Sequence, residues 1–247
     1  MTAEVAQASK DDSERESWGS FTLFVAKLAL AVFIFRSFFF SFYTIPSESM
    51  LPRLWNGDYF VAAKWPYGFS RWSLPFNLPL IPGQVFASLP ERGDVAVFKH
   101  PVDKVDYIKR VIGLPGDRIG YHDNQVTVNG RVLPYREEGL YEGVGKGIGE
   151  TGASKLTEGL PGRPHFVLER EDMPFTPYGQ GEGDWTVPAG HYFVMGDNRD
   201  NSEDSRFWET HFLPESNLRG KAFLVWMNFD WSTSRKVDVS RIGTKIP

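Results

Sequence analysis

The 247-residue chain contains no cysteine. Disulfides, thiolate nucleophiles, CxxC redox chemistry and thiolate-held zinc are therefore excluded, and any nucleophile must be oxygen or nitrogen. A surplus of positive charge is also missing: 27 basic against 31 acidic residues leave a net charge of −4. That balance gives no electrostatic footprint for nucleic acid, so no nucleic-acid partner is expected. The five histidines (His100, His122, His165, His191 and His211) are scattered, with no HExxH pair, and no metal site offers itself. No glycine-rich phosphate loop opens a helix, and the GxSxG nucleophile elbow is absent. A Ser-His-Asp triad is not excluded by spacing, because its members lie far apart in sequence, but nothing local supports one.

What is abundant is phenylalanine. Eight of the 20 fall between Phe21 and Tyr43, a stretch in which 18 of 23 residues are apolar or aromatic. It is long enough to cross about 30 Å of hydrocarbon as a helix. Lys27 and Arg36 interrupt it, each close enough to an end of a 21–38 span for its side chain to reach the headgroups, with 38–43 left in the interface. A buried soluble helix is the alternative. A cleaved secretory signal fits less well, since the preceding residues are acidic and no small-x-small site follows. Residues 1–20 read as a disordered polar tail. Their two basic and five acidic residues do not fix the orientation of the anchor.

The other 200 or so residues, one or two domains by length, read as short strands separated by turns. DYFVAAKW, DVAVFKH, YIKRVIG, HFVLERE, HYFVMGD and KAFLVWMNFD carry β-branched and aromatic residues in short runs. QVTVNGRVL is a hairpin signal centred on Asn129-Gly130, and Pro214–Leu218 suits one helical turn. The expected body is β-rich, without internal repeats. Two segments break the pattern. Trp65–Phe86 holds four prolines and six aromatics and suits a membrane- or partner-facing surface. Gly139–Gly162, with eight glycines, reads as a flexible surface excursion.

Three further segments are candidates for chemistry: IPSESMLP (45–52), YIKRVIGLPGDRI (107–119) and MGDNRDNSEDSRFW (195–208). Each has a plainer reading, as a proline-fixed linker, an edge-strand lysine with its tip in water, and an Asx-turn loop. Together they suggest a serine nucleophile with lysine as its base. Lysine accepts a proton near neutral pH only if burial pulls its pKa well below about 10.4. Tyr107, Ile108, Val111 and Ile112 are the residues expected to supply that apolar setting by strand alternation.

At these residues the chain resembles type I signal peptidase, the membrane-bound bacterial leader peptidase of the serine-lysine class. PSESM-x-P, RGDVAVFKHP, DYIKRVIGLPGDRI and GDNRDNSEDSRFW stand in that family's order, after the anchor and before GKAF (220–223). The resemblance implies that Ser49 is the nucleophile and Lys109 the general base. It implies that Ser47 and the Ser49 N–H form an oxyanion hole, and that Ser202 hydrogen-bonds and orients Lys109. Asp204 and Arg206 would be a supporting ion pair with Arg110 nearby, and Met50 and Tyr107 would wall pockets for small side chains. The implied fold is mainly β: an antiparallel β catalytic core with an inserted β-rich lobe, preceded by one N-terminal transmembrane helix. The corresponding division is tail 1–20, anchor 21–43, core 44–120 and 189–247, and lobe 121–188.

The implied activity is removal of signal peptides from exported preproteins after an Ala-x-Ala-like site. No cofactor is needed, since serine and lysine suffice. The implied partners are signal peptides and the phospholipid bilayer, and the implied state is a monomer in the bacterial inner membrane with a cytoplasmic N-terminus. Three residues depart from the family pattern: Glu48, expected to face solvent beside the nucleophile, Arg53 and Glu209. Two rival readings remain. A self-cleaving repressor-type protease of the same class requires an N-terminal DNA-binding helix pair, where this chain has an acidic tail and an apolar span. A catalytically idle, membrane-tethered β module has no reason to keep both Ser49 and Lys109.

Overall fold

The computed structural model describes residues 2–68, 88–170, 181–230 and 237–247, with the side chains of 2–17 and 36–37 outside that description. Helix α1 runs from Thr2 to Phe38. The disordered tail expected over 1–20 is thus corrected to helix. Its residues are largely Ala, Glu, Gln, Lys, Arg and Ser, with no proline and no glycine before Gly19, so propensity alone favours helix there. The 18 residues Trp18–Phe35 have a mean hydropathy of 1.9, and none is buried against the rest of the chain. An apolar helix that leaves Phe21, Phe24, Phe33 and Phe35 uncovered is not the core of a soluble domain. It is long and apolar enough to cross a membrane.

The chain enters the body at β1 (Phe40–Thr44), which pairs antiparallel with β2 (Asp58–Ala63). Residues 40–43 therefore belong to a sheet, where an interfacial end of the anchor was expected. Strands β3 (Val95–Lys99) and β4 (Asp106–Gly113) follow. Next come β5 (Arg118–His122), β6 (Gln125–Val128) and β7 (Arg131–Val132). The β6–β7 turn is the expected hairpin, with Asn129 and Gly130 at φ 53° and 76°. Strands β8 (Tyr135–Leu140), β9 (Ser154–Glu158) and β10 (His165–Glu169) form a three-stranded antiparallel sheet. The remaining strands are β11 (Gly183–Thr186), β12 (His191–Met195), β13 (Leu213–Pro214), β14 (Leu218–Asn228) and β15 (Thr244–Lys245). The expected helical turn is a short 3-10 helix at Glu215–Asn217.

The largest sheet has the order β1-β2-β14-β3-β4-β12-β13, with β15 against β14, and β11-β5-β6-β7 make a third sheet. The large sheet is apolar on both faces, which is why β3 reads as the unbroken run Val-Ala-Val-Phe. Successive side chains alternate between faces. Val95 and Val97 join Phe60, Ala62, Ala222 and Val225 in one cluster, while Ala96 and Phe98 join Val111, Tyr192, Val194 and Trp208 in another. The same alternation along β12 puts Tyr192 and Val194 in that second cluster and sends Phe193 and Met195 to a third, with Ile112, Ile119 and Tyr121. The fold class is the mainly antiparallel β body with one N-terminal apolar helix expected from sequence.

Much of Gly139–Gly162 is ordered, which corrects its reading as a flexible excursion. It contains the last residues of β8, a 3-10 helix at Gly145–Glu150 and all of β9. Tyr141 and Ala153 pack with Leu51 and Leu168, so the arm is held by apolar contact beside the Ser49 segment. Of Trp65–Phe86, only Trp65 to Gly68 lie among the described residues. The rest of that expected surface falls outside them.

The three-stranded sheet is tied to the Gly196–Arg206 loop by buried ions. Arg110, on β4, donates to Asp197 through Nε (2.8 Å) and a terminal nitrogen (2.7 Å), and to the Gly93 carbonyl at 2.8 Å. Arg199 reaches Glu158 at 2.7 Å, and Tyr135 donates to the same carboxylate at 2.9 Å. His165 lies between Glu158 and Asp197, and burial, helped by nearby Arg110 and Arg199, holds its pKa well below the usual imidazole range. Removing one partner of such a pair strands a charge out of water. Arg110→Ala should therefore destabilise the protein by about 3–5 kcal/mol, measured by urea unfolding in detergent micelles. The double variant Arg110→Met/Asp197→Leu should lose clearly less, because it leaves no uncompensated charge.

Candidate active site

Alternation along β4 sends Tyr107, Lys109 and Val111 to one face and Ile108, Arg110 and Ile112 to the other. Lys109 stands opposite Ala96 on β3, a residue too small to crowd a long side chain. Its amine ends 2.7 Å from Ser49 Oγ, although the two residues are 60 apart in sequence. Lys109 is 4% exposed and Ser49 7%. Only Tyr107 and Val111 of the expected apolar neighbours share the lysine's face. Ile108 and Ile112 pack into two other clusters on the far side.

Burial pushes the pKa of Lys109 down to about 8 from an ordinary 10.5, against the opposing pull of Asp204, Asp197 and Glu203 and with some help from Arg206. Desolvation outweighs three carboxylates because the amine is cut off from water, and a charge without solvent is disfavoured more than distant counter-charges can restore. The serine is held by a turn in which the Leu51 N–H donates to the Glu48 carbonyl at 3.0 Å and the Leu54 N–H to the Met50 carbonyl at 2.9 Å. Ser47 Oγ lies 3.3 Å from Ser49 Oγ.

The Gly196–Arg206 loop closes the site from the other side. Asp204 is fully buried and accepts from Gly196 N–H (2.9 Å), Ser202 Oγ (2.8 Å) and Arg206 Nε (2.9 Å). Burial raises its pKa, but Arg206 and the hydrogen bonds outweigh that and hold it below the usual carboxylate range. The Asp204–Arg206 pair thus has the geometry expected of it, and Arg110 pairs with Asp197. Ser202 differs: its hydroxyl donates to Asp204, where a bond to Lys109 was expected. The reason is that an anionic acceptor at 2.8 Å is the stronger partner. A hydroxyl that donates there has only lone pairs left, so any further partner must be a donor such as an amine. Gly196 has no room for a side chain, since a Cβ would stand 2.2 Å from Ser202 Oγ and 2.5 Å from the Ser49 carbonyl oxygen.

A cavity of about 440 Å³ opens onto the pair, lined by Pro46, Ser47, Glu48, Tyr107, Ile108 and Glu203 besides Ser49 and Lys109. Tyr107 is in its wall as expected, with its hydroxyl on Glu203 at 3.1 Å. Met50 is not: it is fully buried in the core with Ile45, Leu54 and Phe60, because the turn after Ser49 carries its side chain inward. Glu48, expected in solvent, is half-buried and accepts from Asn56 at 3.2 Å. Arg53 donates to the Lys245 carbonyl, and Glu209 is exposed.

Sequence reasoning assigned no role to Asp197, Asn198 or Glu203, although all three lie inside a quoted motif. The signal available was their place beside Ser202, without any indication of what they face. Among the described residues, no three His, Asp or Glu side chains gather as a metal site. A desolvated amine in contact with a serine hydroxyl, beside an open cleft, can do proton transfer coupled to nucleophilic attack.

Residues 17–227 match the family model described as signal peptidase, peptidase S26. The chain is 37% identical over 224 residues to signal peptidase I of Pseudomonas aeruginosa, covering 86% of this chain and 74% of that one. It is 36% identical over 237 residues to signal peptidase I of Rickettsia massiliae, covering 92% and 85%. A solved signal peptidase I from Enterococcus faecalis is 28% identical and covers 54% of this chain and 97% of its own, with a TM-score of 0.32.

Proposed function

This chain belongs to the signal peptidase family, peptidase S26, proteases that remove signal peptides from preproteins, and we propose that it cuts after small-x-small sites with Ser49 as nucleophile and Lys109 as general base. The observation that carries the mechanism is the 2.7 Å contact between Ser49 Oγ and a buried amine whose pKa is about 8. At pH 7 about a tenth of such an amine is neutral, against roughly 1 in 3,000 at the ordinary 10.5. The base-competent fraction thus rises by about 300-fold without any charged helper.

Lys109 takes the Ser49 proton as Oγ adds to the scissile carbonyl, then returns it to the departing amine. Water hydrolyses the acyl-serine with Lys109 again as base. The Ser49 N–H and Ser47 hydroxyl stabilise the developing oxyanion, each donor contributing about 3–4 kcal/mol to the transition state. Asp204, fixed by Arg206, holds Ser202, whose remaining lone pairs are suited to accept from the Lys109 amine. A cleft walled by Tyr107 and Ile108 selects small side chains by excluding larger ones. Residues 121–188 act as a lobe inserted into the catalytic core.

We further read α1 as a single-pass anchor in the inner membrane, N-terminus inside, with the β body outside. Phe39, Phe42, Trp65 and Trp226 lie exposed near its end and support contact with the bilayer interface.

Three measurements check this reading. A preprotein-like peptide with an Ala-x-Ala site should be cleaved by the wild type and not detectably by Ser49→Ala or Lys109→Met. Because neutral lysine is the active form, kcat/KM should rise with pH through an apparent pKa near 8 and level off above it. Activity that survives either substitution, or a profile flat from pH 6 to 9, contradicts the mechanism. The absence of native cysteine makes orientation simple to read. Lys146→Cys should react with a membrane-impermeant maleimide on intact spheroplasts, and Asp12→Cys only after permeabilisation; the reverse pattern overturns the topology.

A further inference from the structure

The carbonyl and N–H of one trans peptide unit point in opposite directions. The Glu48 carbonyl, which shares its peptide with the Ser49 N–H, accepts twice: from Leu51 N–H at 3.0 Å and from Asn198 Nδ2 at 3.3 Å. The Ser49 carbonyl, in the next unit, accepts the Asn198 backbone N–H at 3.1 Å. One residue therefore grips the peptides on both sides of the nucleophile. The Ser49 N–H itself donates to no acceptor among the described residues, although Ser49 is only 7% exposed. Buried N–H groups are nearly always paired, so a free one beside a cleft is a donor kept for something that arrives.

Asn198 is in turn immobilised. It is fully buried, its carbonyl accepts from Asn201 N–H at 3.2 Å, and it forms an isolated parallel bridge with Leu168 of β10 through the Asp197 carbonyl and Leu168 N–H at 2.9 Å. Its Oδ1 has no partner among the described residues. An asparagine chosen only to fill space leaves a polar atom orphaned for nothing, whereas here the amide is retained with a single side-chain bond, the one to Glu48. Flipping the amide would set Oδ1 against the Glu48 carbonyl, oxygen to oxygen, so the donor assignment follows from the acceptor it faces.

Resting on the reading of Ser49 as nucleophile, we propose that Asn198 is a positioning residue. By holding the Glu48 carbonyl from behind, it aims the Ser49 N–H at the place where the oxyanion forms. It touches neither substrate nor the reacting atoms. The three-stranded sheet, through Leu168, thereby supports the oxyanion donor from behind.

The test uses the full-length enzyme in detergent, an Ala-x-Ala peptide substrate, and two probes: the matching peptide aldehyde and the peptide alcohol. With the aldehyde, Ser49 Oγ adds to the carbonyl carbon, its proton passes to Lys109, and the carbonyl oxygen becomes the alkoxide that the N–H must meet. The alcohol has no carbonyl to attack. Asn198→Ala and the near-isosteric Asn198→Asp should lower kcat by roughly tenfold to a hundredfold with KM little changed. Aldehyde affinity should fall by the same factor as kcat/KM and alcohol affinity should hold in both variants, and in the uncharged Asn198→Ala the pH limb should stay in place.

Should Asn198→Ala fail to fold, Asn198→Asp decides. A kcat/KM within about twofold of wild type, or aldehyde and alcohol weakened alike, overturns the proposal. Ser49→Ala in parallel separates the two readings: if it stays active the nucleophile assignment has failed, and if it is dead while both Asn198 variants work normally only this inference has.

Discussion

The structure depends on keeping one amine out of water. Lys109 sits on a strand buried on both faces, and its loss of hydration lowers its pKa to about 8, which is what the proposed role as a base near neutral pH requires. Most other features of the site follow from that requirement. A counter-ion close to the amine would restore its proton affinity, so the nearby carboxylates are occupied elsewhere: Asp204 by Arg206, Asp197 by Arg110. Glu203, with no ion-pair partner among the described residues, is held by the Tyr107 hydroxyl at the edge of the cleft.

Those ion pairs serve two purposes. They neutralise charge around the lysine, and they pin the Gly196–Arg206 loop against the serine turn with little slack. The clearance at Gly196 is a consequence: its backbone passes between the Ser202 hydroxyl and the Ser49 carbonyl, where a methyl group does not fit. Buried pairs of this kind are poor sources of net stability, because desolvation offsets their attraction. On the proposed mechanism their value lies in geometry, since the amine and the serine hydroxyl are to be held in a near-attack arrangement before substrate arrives.

The contact between Ser49 and Lys109 was legible only in part: two serines bracketed by prolines and a lysine in an otherwise apolar strand suggest a serine-lysine pair, and the family resemblance, not the residues, singles out Ser49. The β-rich class was legible from strand-length apolar runs, and the Asn129-Gly130 hairpin from its turn residues. What was not legible depends on direction and on distant pairing. Whether Met50 points into the cleft or the core is decided by a tight turn whose sense the residues do not announce. Arg110 and Asp197 meet across 87 residues, and only the β4–β12 pairing brings them together. Glycine count suggested mobility over 139–162, but Tyr141 and Ala153 pack against Leu51 and Leu168 and keep the arm in place. The helical start at Thr2 is hidden by polarity, which residues 1–20 share with disordered tails; their helix propensity is the signal that separates the two.

The most direct test of this account is the titration of Lys109 itself. With lysine side chains carrying 13C at Cε, the Lys109 signal is identified as the one absent from Lys109→Met, and its chemical shift is followed from pH 6 to 11. The account predicts a midpoint near 8, well separated from the other lysines. A midpoint at the ordinary value of about 10.4 would contradict it, because a fully protonated amine cannot take the serine's proton.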